Sequence, residues 1–565
     1  MSLANSESLE VDLAALTQTL ERIRPQISPE DHRCLLEAAE ALVELTRLIR
    51  NRNTTIARLR RMLEGSNSEK TAEVCGDSSS SNASVPAQGP EPKTPAAGDP
   101  CAPGDGDPGS PDRDDRSTRP AQGHGRIPAS AYPRAHPVTV AHQTLHAGDT
   151  CPDCSHGKLH RLPVPARSVR IFGQAPLVAT CWECERLRCG GCGQVFTARA
   201  PAQAQGSKYS EGAAAMLALL RYGTGMPLHR LAGLQRHLQT PVPASTQWEV
   251  VRDRAKALEP VYAELVRRAA AGRVLHNDDT HARILEWMGK RRAEQLAAGE
   301  LSDPERTGLF TTGVVSQTDR GPIALFFTGR KHAGENLAAL LAERDAKLGP
   351  PIQMCDGLAR NLPRDPTVVL GNCLAHGRRH IVDEVENFPA ECRHVLEALR
   401  RVFHTEARSR PLGLTAEQRL ELHQRESGPV MEALRRWMQT QFEQKQVEPN
   451  SGLGQAFRYL LARWEPLTLF LRVPGAPIDN NLCERALKMA IRHRNNSLFY
   501  RSQRGAGVGD RYMTLIYTAH LHGQSAFDYL TALFEHESEL AADPDAWLPW
   551  TYLDTLAARA TQPAA

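Results

Sequence analysis

The spacing of apolar residues predicts helices at the start of the chain. Leu13, Leu16 and Leu20 recur at helical spacing, and a second stripe of leucine and isoleucine follows at residues 42–63. Such a stripe suits a helical hairpin or a short coiled coil over residues 1–70. It could dimerise the chain or pack onto the chain's own body, and the pattern fits both.

The periodicity stops at residues 71–135, which are rich in Ser, Pro, Gly and Asp and nearly free of aromatic residues. A segment of this composition buries too little apolar surface to offset the entropy lost on ordering. We therefore predict a disordered linker between the N-terminal helices and the rest of the chain.

Helical periodicity returns at residues 201–272 and predicts three helices with short breaks. The first covers residues 209–222, the second covers 228–238, and Ser245 and Thr246 are expected to cap a third that runs to residue 265. Three short helices with glycine-containing turns suit a helix-turn-helix that reads DNA, and they also suit a plain helical bundle.

From residue 273 the pattern changes to strands. Apolar and β-branched runs predict strands at 273–278, 308–316, 322–328, 352–355 and 367–373, with a turn at 317–321 and a helix at 335–348. This order matches a ribonuclease-H-like arrangement over residues 273–520. A long helical stretch at about 376–470 exceeds a plain connection, so we expect an inserted helical subdomain.

Three acidic residues fall where that fold carries a metal site. Asp278 ends the first strand, Asp356 ends the fourth, and Glu484 opens a later helix. Magnesium prefers carboxylate oxygens and keeps positions free for water and phosphate. We prefer Asp278 to Asp279 as the ligand, because alternation along a strand puts only one of the two on the active face.

Each acid also has a purely structural interpretation. Asp356 and Gly357 form a common turn pair, and Asn481 with Glu484 has the spacing of a helix capping box. Asp278 could end a strand in solvent. The three positions together favour the metal site, because one known metal fold needs an acid at each of them.

Six cysteines at residues 151–192 form three Cys-x-x-Cys pairs, which predict a zinc ribbon within residues 136–200. Four thiolates close a tetrahedral site, and glycines around the last pair permit a tight turn. We favour Cys151, Cys154, Cys189 and Cys192 as ligands of a structural zinc ion. Cys181 and Cys184 remain competing candidates, with ordinary packing as the alternative.

Basic residues accompany the acids and predict contacts with DNA phosphates. Glu484, Lys488 and Arg492 share one face of a helix, where the alternative is an ordinary Glu-to-Lys surface pair. The complete set of candidate DNA-binding residues is Arg485, Lys488, Arg492, Arg494, Arg330, Lys331, Arg378 and Arg379. Next to the last two, Cys373 and His376 could be metal ligands, but we prefer a buried cysteine and a structural or phosphate-facing histidine.

Composition narrows these predictions only slightly. The 565 residues carry a net charge of +3, so DNA affinity must come from local basic patches rather than from the whole molecule. No basic N-terminal region precedes an apolar core, and no apolar run has the length of a membrane span, so we expect neither a signal peptide nor a membrane segment. Grouped cysteines then indicate metal binding in a reducing cytoplasm.

These motifs resemble the insertion sequence 66 family of bacterial transposases along nearly the whole chain. The similar segments are residues 59–70, the cysteine ribbon, 275–280, 353–357, 373–379, 479–485 and 541–552 in the C-terminal element 521–565. One departure is Arg494-Asn495-Asn496, where the family has Arg-Lys-Asn, which puts one phosphate contact in doubt. Cys181 is not part of the family pattern either.

The resemblance implies a transposase of the DDE type with Asp278, Asp356 and Glu484 as catalytic residues and Mg²⁺ or Mn²⁺ as cofactor. It implies binding to terminal inverted repeats and target DNA, strand cleavage and strand transfer, a homo-oligomer on DNA, and two small accessory proteins of the same element. We expect the protein to be cytoplasmic and associated with the nucleoid. The alternatives are a metal-dependent nuclease of the same fold and a catalytically silent DNA-binding repressor.

Overall fold

The structure is a computed structural model that describes residues 138–162, 173–190, 194–299, 303–364 and 368–561, and the isolated residues Arg22, Ser28, His32, Leu35, Ala135, Ile171 and Cys192. Apart from those isolated positions, the N-terminal helices and the linker predicted at 1–135 lie outside the described residues.

The described residues form a mixed α/β fold. The strands are β1 (Arg186–Arg188), β2 (Val195–Thr197), β3 (Val274–His281), β4 (Phe310–Thr318), β5 (Gly321–Gly329), β6 (Ile352–Cys355) and β7 (Val369–Asn372). The helices are α1 (Glu211–Ala218), α2 (Leu228–His237), α3 (Ala244–Ala257), α4 (Glu259–Ala270), α5 (Gly289–Ala297), α6 (Ala333–Ala342), α7 (Leu374–Val382), α8 (Pro389–Ser409), α9 (Ala416–Glu426), α10 (Gly428–Glu443), α11 (Gly452–Ala462), α12 (Trp464–Leu467), α13 (Asn481–Ser497), α14 (Gln503–Leu521), α15 (Ala526–Glu535), α16 (Glu537–Leu540) and α17 (Tyr552–Ala560).

The chain divides into two compact units. The first contains Arg273–Asp278 and Gly349–Leu482, and the second contains the described parts of Asn82–Gly272, Asp279–Leu348 and Cys483–Ala565. The boundaries fall inside two elements, because β3 passes from the first unit to the second after Asp278 and α13 does so after Leu482. Among the described helices, none has both the length and the apolar character needed to cross a membrane.

The first unit is built on parallel strands. β6 pairs with the first half of β3 in the register Val274 to Ile352, and β7 pairs with β6 in the register Ile352 to Val369. All four residues of β6 are buried, which is typical of a parallel strand covered on both faces. Helices α7, α8, α10, α11 and α12 supply most of the core beside these strands, which includes Leu399, Phe457 and, just after α12, Phe470.

The second unit contains the β4–β5 hairpin, whose outer strand is covered by helix α14. The backbone N–H groups of Ala324, Phe326 and Thr328 donate to side chains of Thr518, Thr514 and Asp510, at 3.2, 3.2 and 2.7 Å. Two residues along a strand and four along a helix both advance about 6 Å. The helix therefore satisfies an edge strand that would otherwise expose its donors.

Burial of that edge gives Asp510 an unusual environment. Desolvation raises the pKa of the Asp510 carboxyl to about 7, although the Thr328 hydroxyl and N–H both donate to it. The N–H contact and the hydroxyl contact fix α14 to β5 at one end of the hairpin.

The structure corrects one helix prediction in the second unit. The third predicted helix is two helices, α3 and α4, separated at Leu258 because Pro260 occupies the first turn of α4. The predicted cap is also wrong: α3 begins after Pro243, so Ser245 and Thr246 lie inside the helix, which has no side-chain cap.

Other boundaries shift for identifiable reasons. Helix α6 ends at Ala342 rather than 348, and Asp345 Oδ1 then accepts from Lys347 N at 2.9 Å in a local turn that competes with the helix. Strand β3 continues past the acids to His281. The prediction for β6 is confirmed, and the stretch at 376–470 is helical as predicted.

Candidate active site

Asp278 lies on β3, which continues to His281, and Asp356 directly follows the parallel strand β6; both acids belong to the first unit. His276 pairs with Met354, and the same register two residues further along both segments puts Asp278 beside Asp356. The amide Nδ2 of Asn361 donates to Oδ1 of both carboxylates, at 3.2 Å to Asp278 and 2.7 Å to Asp356. One buried side chain therefore bridges the two predicted metal ligands, and its N–H groups offset part of the repulsion between them.

Asn361 is itself held by a buried amide network. Its backbone carbonyl accepts from Asn277 Nδ2 at 2.8 Å and from Gln353 Nε2 at 2.7 Å. Gln353 Nε2 also donates to Asn277 Oδ1 at 2.9 Å, and all three side chains are buried. Because Asn277 precedes Asp278 on β3 and Gln353 lies on β6, the network fixes the turn carrying Asn361 to both acid-bearing strands.

The network leaves oxygen atoms without hydrogen-bond donors. Oδ1 of Asn361 and Oε1 of Gln353 are buried, and neither accepts a hydrogen bond from the described residues. Buried polar atoms normally find a partner. The two neighbouring carboxylates offer the oxygen donors that hard divalent cations prefer, so the residues present fit Mg²⁺ or Mn²⁺.

The turn after β6 shapes the second acid. Gly357 has φ +81°, a backbone conformation that favours glycine, and a Cβ there would make a tight contact of 3.1 Å with Arg463 Nε. Asp356 Oδ1 accepts from Leu358 N at 3.0 Å, as the structural interpretation expected. The same carboxylate is also bridged to Asp278, so the turn and the site coexist.

A tyrosine and an arginine from the helical insertion complete this side of the first unit. Tyr459 Oη donates to the backbone oxygen of Asp356 at 2.8 Å, and the Arg463 guanidinium lies 4.4 Å from the Tyr459 ring centre. Arg463 has no carboxylate partner among the described residues. Sequence reasoning missed both residues, because neither belongs to a motif next to the acids.

Asp279, the alternative to Asp278, has a different partner within the second unit. Its side chain is 1% exposed, and its Oδ2 lies 3.3 Å from His332 Nδ1. The His332 ring in turn packs against Phe310, with centroids 4.2 Å apart. The two neighbouring aspartates therefore have separate surroundings, as alternation along a strand requires.

The segment before Glu484 also has a structural role in the first unit. Asn480 N donates to the buried Cys373 Sγ at 3.2 Å, and Asn480 Nδ2 donates to the Asn277 backbone oxygen at 3.1 Å. That leaves Asn480 Oδ1 to accept from His276 Nδ1 at 3.2 Å. Burial lowers the pKa of His276 to about 4, so this histidine is neutral at neutral pH.

Glu484 belongs to the second unit and lies in the first turn of α13. Close packing seats this helix on β4: Cys483 Sγ donates to the Gly313 backbone oxygen at 3.3 Å, and a Cβ at Gly313 would lie 2.9 Å from Leu487 Cγ. The buried face of α13 thus fixes the position of its first turn, which carries Glu484.

The basic residues of α13 are available to a ligand. Arg485, Lys488 and Arg492 are exposed, and none has an ion-pair partner among the residues that the structure describes. The alternative of a Glu484–Lys488 surface pair is therefore not formed. Arg494 is different, because its Nη1 donates to Thr280 Oγ1 at 2.7 Å and to the His281 backbone oxygen at 2.8 Å.

The remaining predicted DNA contacts differ in exposure. Lys331 is exposed, whereas Arg330 donates to the backbone oxygen of Arg306 at 3.1 Å and lies over the Trp287 ring. In the first unit Arg378 is buried, and Arg379 Nη1 lies 3.4 Å from His376 Nε2.

The predicted zinc ligands lie on two short turns of the second unit. Cys151 N donates to the Gly157 backbone oxygen at 2.8 Å, and Cys189 N donates to the Gln194 backbone oxygen at 2.9 Å, closing the β1–β2 hairpin. Hydrogen bonds from the backbone of His156 and Gly157 lower the pKa of the Cys154 thiol, which favours the thiolate that zinc binds. Among the described residues no three of the six thiols approach within 4.8 Å, so the choice of ligands stays a prediction.

Comparison with known proteins places these residues in a family. Residues 206–508, more than half of the chain, match the family described as "Transposase IS66 family". "Uncharacterized protein y4jD" of Sinorhizobium fredii (strain NBRC 101917 / NGR234) is 25% identical over 417 residues, which cover 71% of this chain and 77% of that protein. "Uncharacterized protein y4hP" of the same strain is 26% identical over 357 residues, covering 60% of this chain and 61% of that protein.

Proposed function

The chain belongs to the IS66 family of transposases, and on this basis we propose that it binds the terminal inverted repeats of its element and catalyses metal-dependent DNA strand cleavage and strand transfer. The observation that carries the proposal is the bridge from Asn361 to both Asp278 and Asp356. Two carboxylates held together by a buried amide favour a divalent cation more than two separate surface acids do.

Asp278, Asp356 and Glu484 are the proposed ligands of Mg²⁺ or Mn²⁺. Such ions supply Lewis acidity that activates a water or a DNA 3′-hydroxyl and stabilises the leaving oxygen. Asn361 keeps the two aspartates oriented, and Gln353 and Asn277 keep Asn361 in place. No side chain acts as a covalent nucleophile in this scheme.

The proposed catalytic fold is ribonuclease-H-like. Its support is the order of elements along the chain: β3, the β4–β5 hairpin, α6, β6 and β7, followed by a helical insertion before α13. In this order the first acid lies on the first strand, the second acid follows the fourth, and the third lies on a later helix.

DNA phosphates are the proposed ligands of the exposed cations. Arg485, Lys488 and Arg492 are exposed on one helix and have no ion-pair partner in the part of the chain that the structure describes, and Lys331 is exposed in the same unit. Arg330, Arg494, Arg378 and Arg379 also donate to protein atoms or are buried, so we assign them support of the site as well as DNA contact. Arg463, stacked on Tyr459 beside Asp356, joins the DNA-binding set.

The cysteine segment is the proposed zinc ribbon, with Cys151, Cys154, Cys189 and Cys192 as ligands of a structural Zn²⁺. The lowered pKa of Cys154 supports a thiolate ligand. Helices α1–α4 are the proposed reader of the terminal repeats, and the protein is proposed to act as a homo-oligomer on paired DNA ends with accessory proteins of the element.

The test supplies pre-cut element ends, a target plasmid and Mg²⁺ to the full chain and to Asp356→Asn. We expect joined products from the wild type, and unchanged end binding without cleavage or joining from the variant. Joining by the variant contradicts the proposal. Cleavage without joining on any end sequence favours a nuclease of the same fold, and binding without cleavage by the wild type favours a silent repressor.

A further inference from the structure

A cavity of about 520 Å³ opens in the second unit where β3 ends. His281, Arg283, Met288, Leu309 and Arg494 are among the residues that line it. A narrower recess shares His281, Arg283 and Arg494 with this cavity and extends to Phe499. None of these residues except Arg494 belongs to the motifs from which the function was proposed.

The walls of the cavity are built by regular contacts rather than by loose loops. Ala282 N donates to the Leu309 backbone oxygen at 2.8 Å. Tyr500 N donates to the Arg283 oxygen at 2.8 Å, and Leu285 N donates to the Tyr500 oxygen at 2.9 Å. Beneath them Ile284, Leu309 and Tyr500 are buried in one apolar cluster. The cavity is therefore formed before any ligand arrives.

Two permanent cations face this space. Arg283 is exposed, and Arg494 is held by its Nη1 contacts with Thr280 and His281, which leave its Nη2 and Nε available. Neither arginine has a carboxylate partner among the residues described. Arginines in this state favour a phosphate, which their fixed N–H groups can bind in a bidentate manner.

An aromatic side chain stands beside the cations. Phe499 is 39% exposed, and the preceding Leu498 has φ +67°, a backbone conformation that β-branched and bulky residues rarely adopt. Leu498 N donates to the Arg494 backbone oxygen at 2.9 Å, so the turn that presents Phe499 is tied to the arginine. An exposed aromatic next to arginines that have no carboxylate partner among the described residues is typical of sites that stack a nucleic-acid base and hold its phosphate.

We propose that this cavity binds one unpaired nucleotide of the DNA substrate, with its phosphate on Arg283 and Arg494 and its base against Phe499. The volume is that of a site for a small organic ligand. A base inside a duplex is stacked and paired, so it would have to turn out of the helix or come from a single-stranded end. The inference rests on the proposed function in taking DNA as the ligand.

The test measures binding of the full chain, in EDTA, to a 2-aminopurine-labelled single-stranded oligonucleotide and to a blunt duplex of the same sequence. Phe499→Ala and Arg283→Ala are each expected to weaken single-strand binding about tenfold and duplex binding less than about twofold. Phe499→Trp should retain single-strand binding, because it keeps the stacking surface. The matched control is Arg320→Ala, an exposed arginine in the β4–β5 turn at the far end of a nine-residue strand.

Equal weakening of both DNA forms would overturn the nucleotide assignment, because it is the result of phosphate contact alone. The nucleotide assignment would also be overturned if both alanine variants bound single-stranded DNA as tightly as Arg320→Ala does. If the variants weaken single-strand binding as expected but the wild type joins no pre-cut ends, the proposed function is contradicted and the cavity assignment stands. If the wild type joins ends normally but Phe499→Ala leaves single-strand binding unchanged, the cavity assignment is contradicted and the proposed function stands.

Discussion

The two predicted metal-ligand sets receive very different support from the protein around them. Asp278 on β3 and Asp356 directly after β6 share Asn361, which a buried amide network holds in place. The six clustered cysteines at residues 151–192 are exposed or half-buried, and every residue of the neighbouring strands β1 and β2 is exposed. The fold thus organises the aspartates itself. Leu177 is the only buried apolar side chain that the structure describes at residues 138–200, so we expect the proposed zinc ion to supply much of the stability of that segment.

The comparison is sharpest at two neighbouring aspartates. Asp278→Asn is expected to reduce strand joining about a thousandfold or more, since a metal ligand contributes several kcal/mol to the transition state. Asp279→Asn should reduce it less than about tenfold, because Asp279 pairs with His332. The measurement is the rate of joining with pre-cut ends. If Asp279→Asn were the inactive variant, Asp279 rather than Asp278 would be the metal ligand.

Removal of zinc tests the other half of the comparison. Cys189→Ser should lower bound zinc from one ion per chain to none and raise hydrogen exchange throughout residues 138–200. Exchange in β4, β5 and α14 should stay unchanged, because their hydrogen bonds involve none of the six clustered cysteines. Metal analysis and exchange on the full chain check this, with Cys392→Ser, a buried cysteine of the first unit, as the control that keeps its zinc. A variant that retains one zinc ion would exclude Cys189 as a ligand.

Asn361→Ala removes the bridge without touching a proposed metal ligand. We expect joining and Mn²⁺ affinity to fall about 10-fold to 100-fold, the range typical of residues that orient metal ligands. Higher Mn²⁺ concentration should restore much of the activity, which it does not do when a ligand itself is lost. Asn387→Ala, an exposed asparagine of the same unit, is the matched control. Activity equal to that control would mean that the bridge has no role in catalysis.

The pH dependence of the buried network is the smallest expected effect. His276 has a pKa of about 4 in the folded state against about 6.5 in the unfolded state. Its contribution to the free energy of unfolding is therefore present above pH 6.5 and is lost as pH falls towards 4. The difference between the two pKa values corresponds to a stability loss of roughly 3 kcal/mol. Opening free energies of β3 and β6 from hydrogen exchange should show this loss in the wild type and not in His276→Gln. A loss of equal size in both proteins would assign it to other groups.

Sequence patterns predicted what depends on local spacing. The strand at 352–355, the helical stretch at 376–470 and the position of Asp356 directly after a strand follow from periodicity and from an acid next to an apolar run. Asp278 was expected to end its strand, but β3 continues to His281. The boundary between α3 and α4 was missed although Pro260 marks it. Local rules of this kind need no knowledge of the tertiary fold.

Contacts between distant segments were beyond the sequence. Asn361 lies 83 residues from Asp278, and Tyr459 lies 103 residues from Asp356. A buried asparagine and a tyrosine in an inserted helix carry no motif, because their role depends on where the chain returns. The Asn361 bridge and the cavity beside Arg283 are both of this type.

The central claim, that Asp278 and Asp356 help to hold a divalent cation, is tested most directly by titrating Mn²⁺ into the full chain by electron paramagnetic resonance. The account predicts that Asp278→Asn and Asp356→Asn each weaken Mn²⁺ binding at least about tenfold, while Asp554→Asn, an exposed aspartate in α17, binds like the wild type. Wild-type affinity in Asp278→Asn or Asp356→Asn would contradict it.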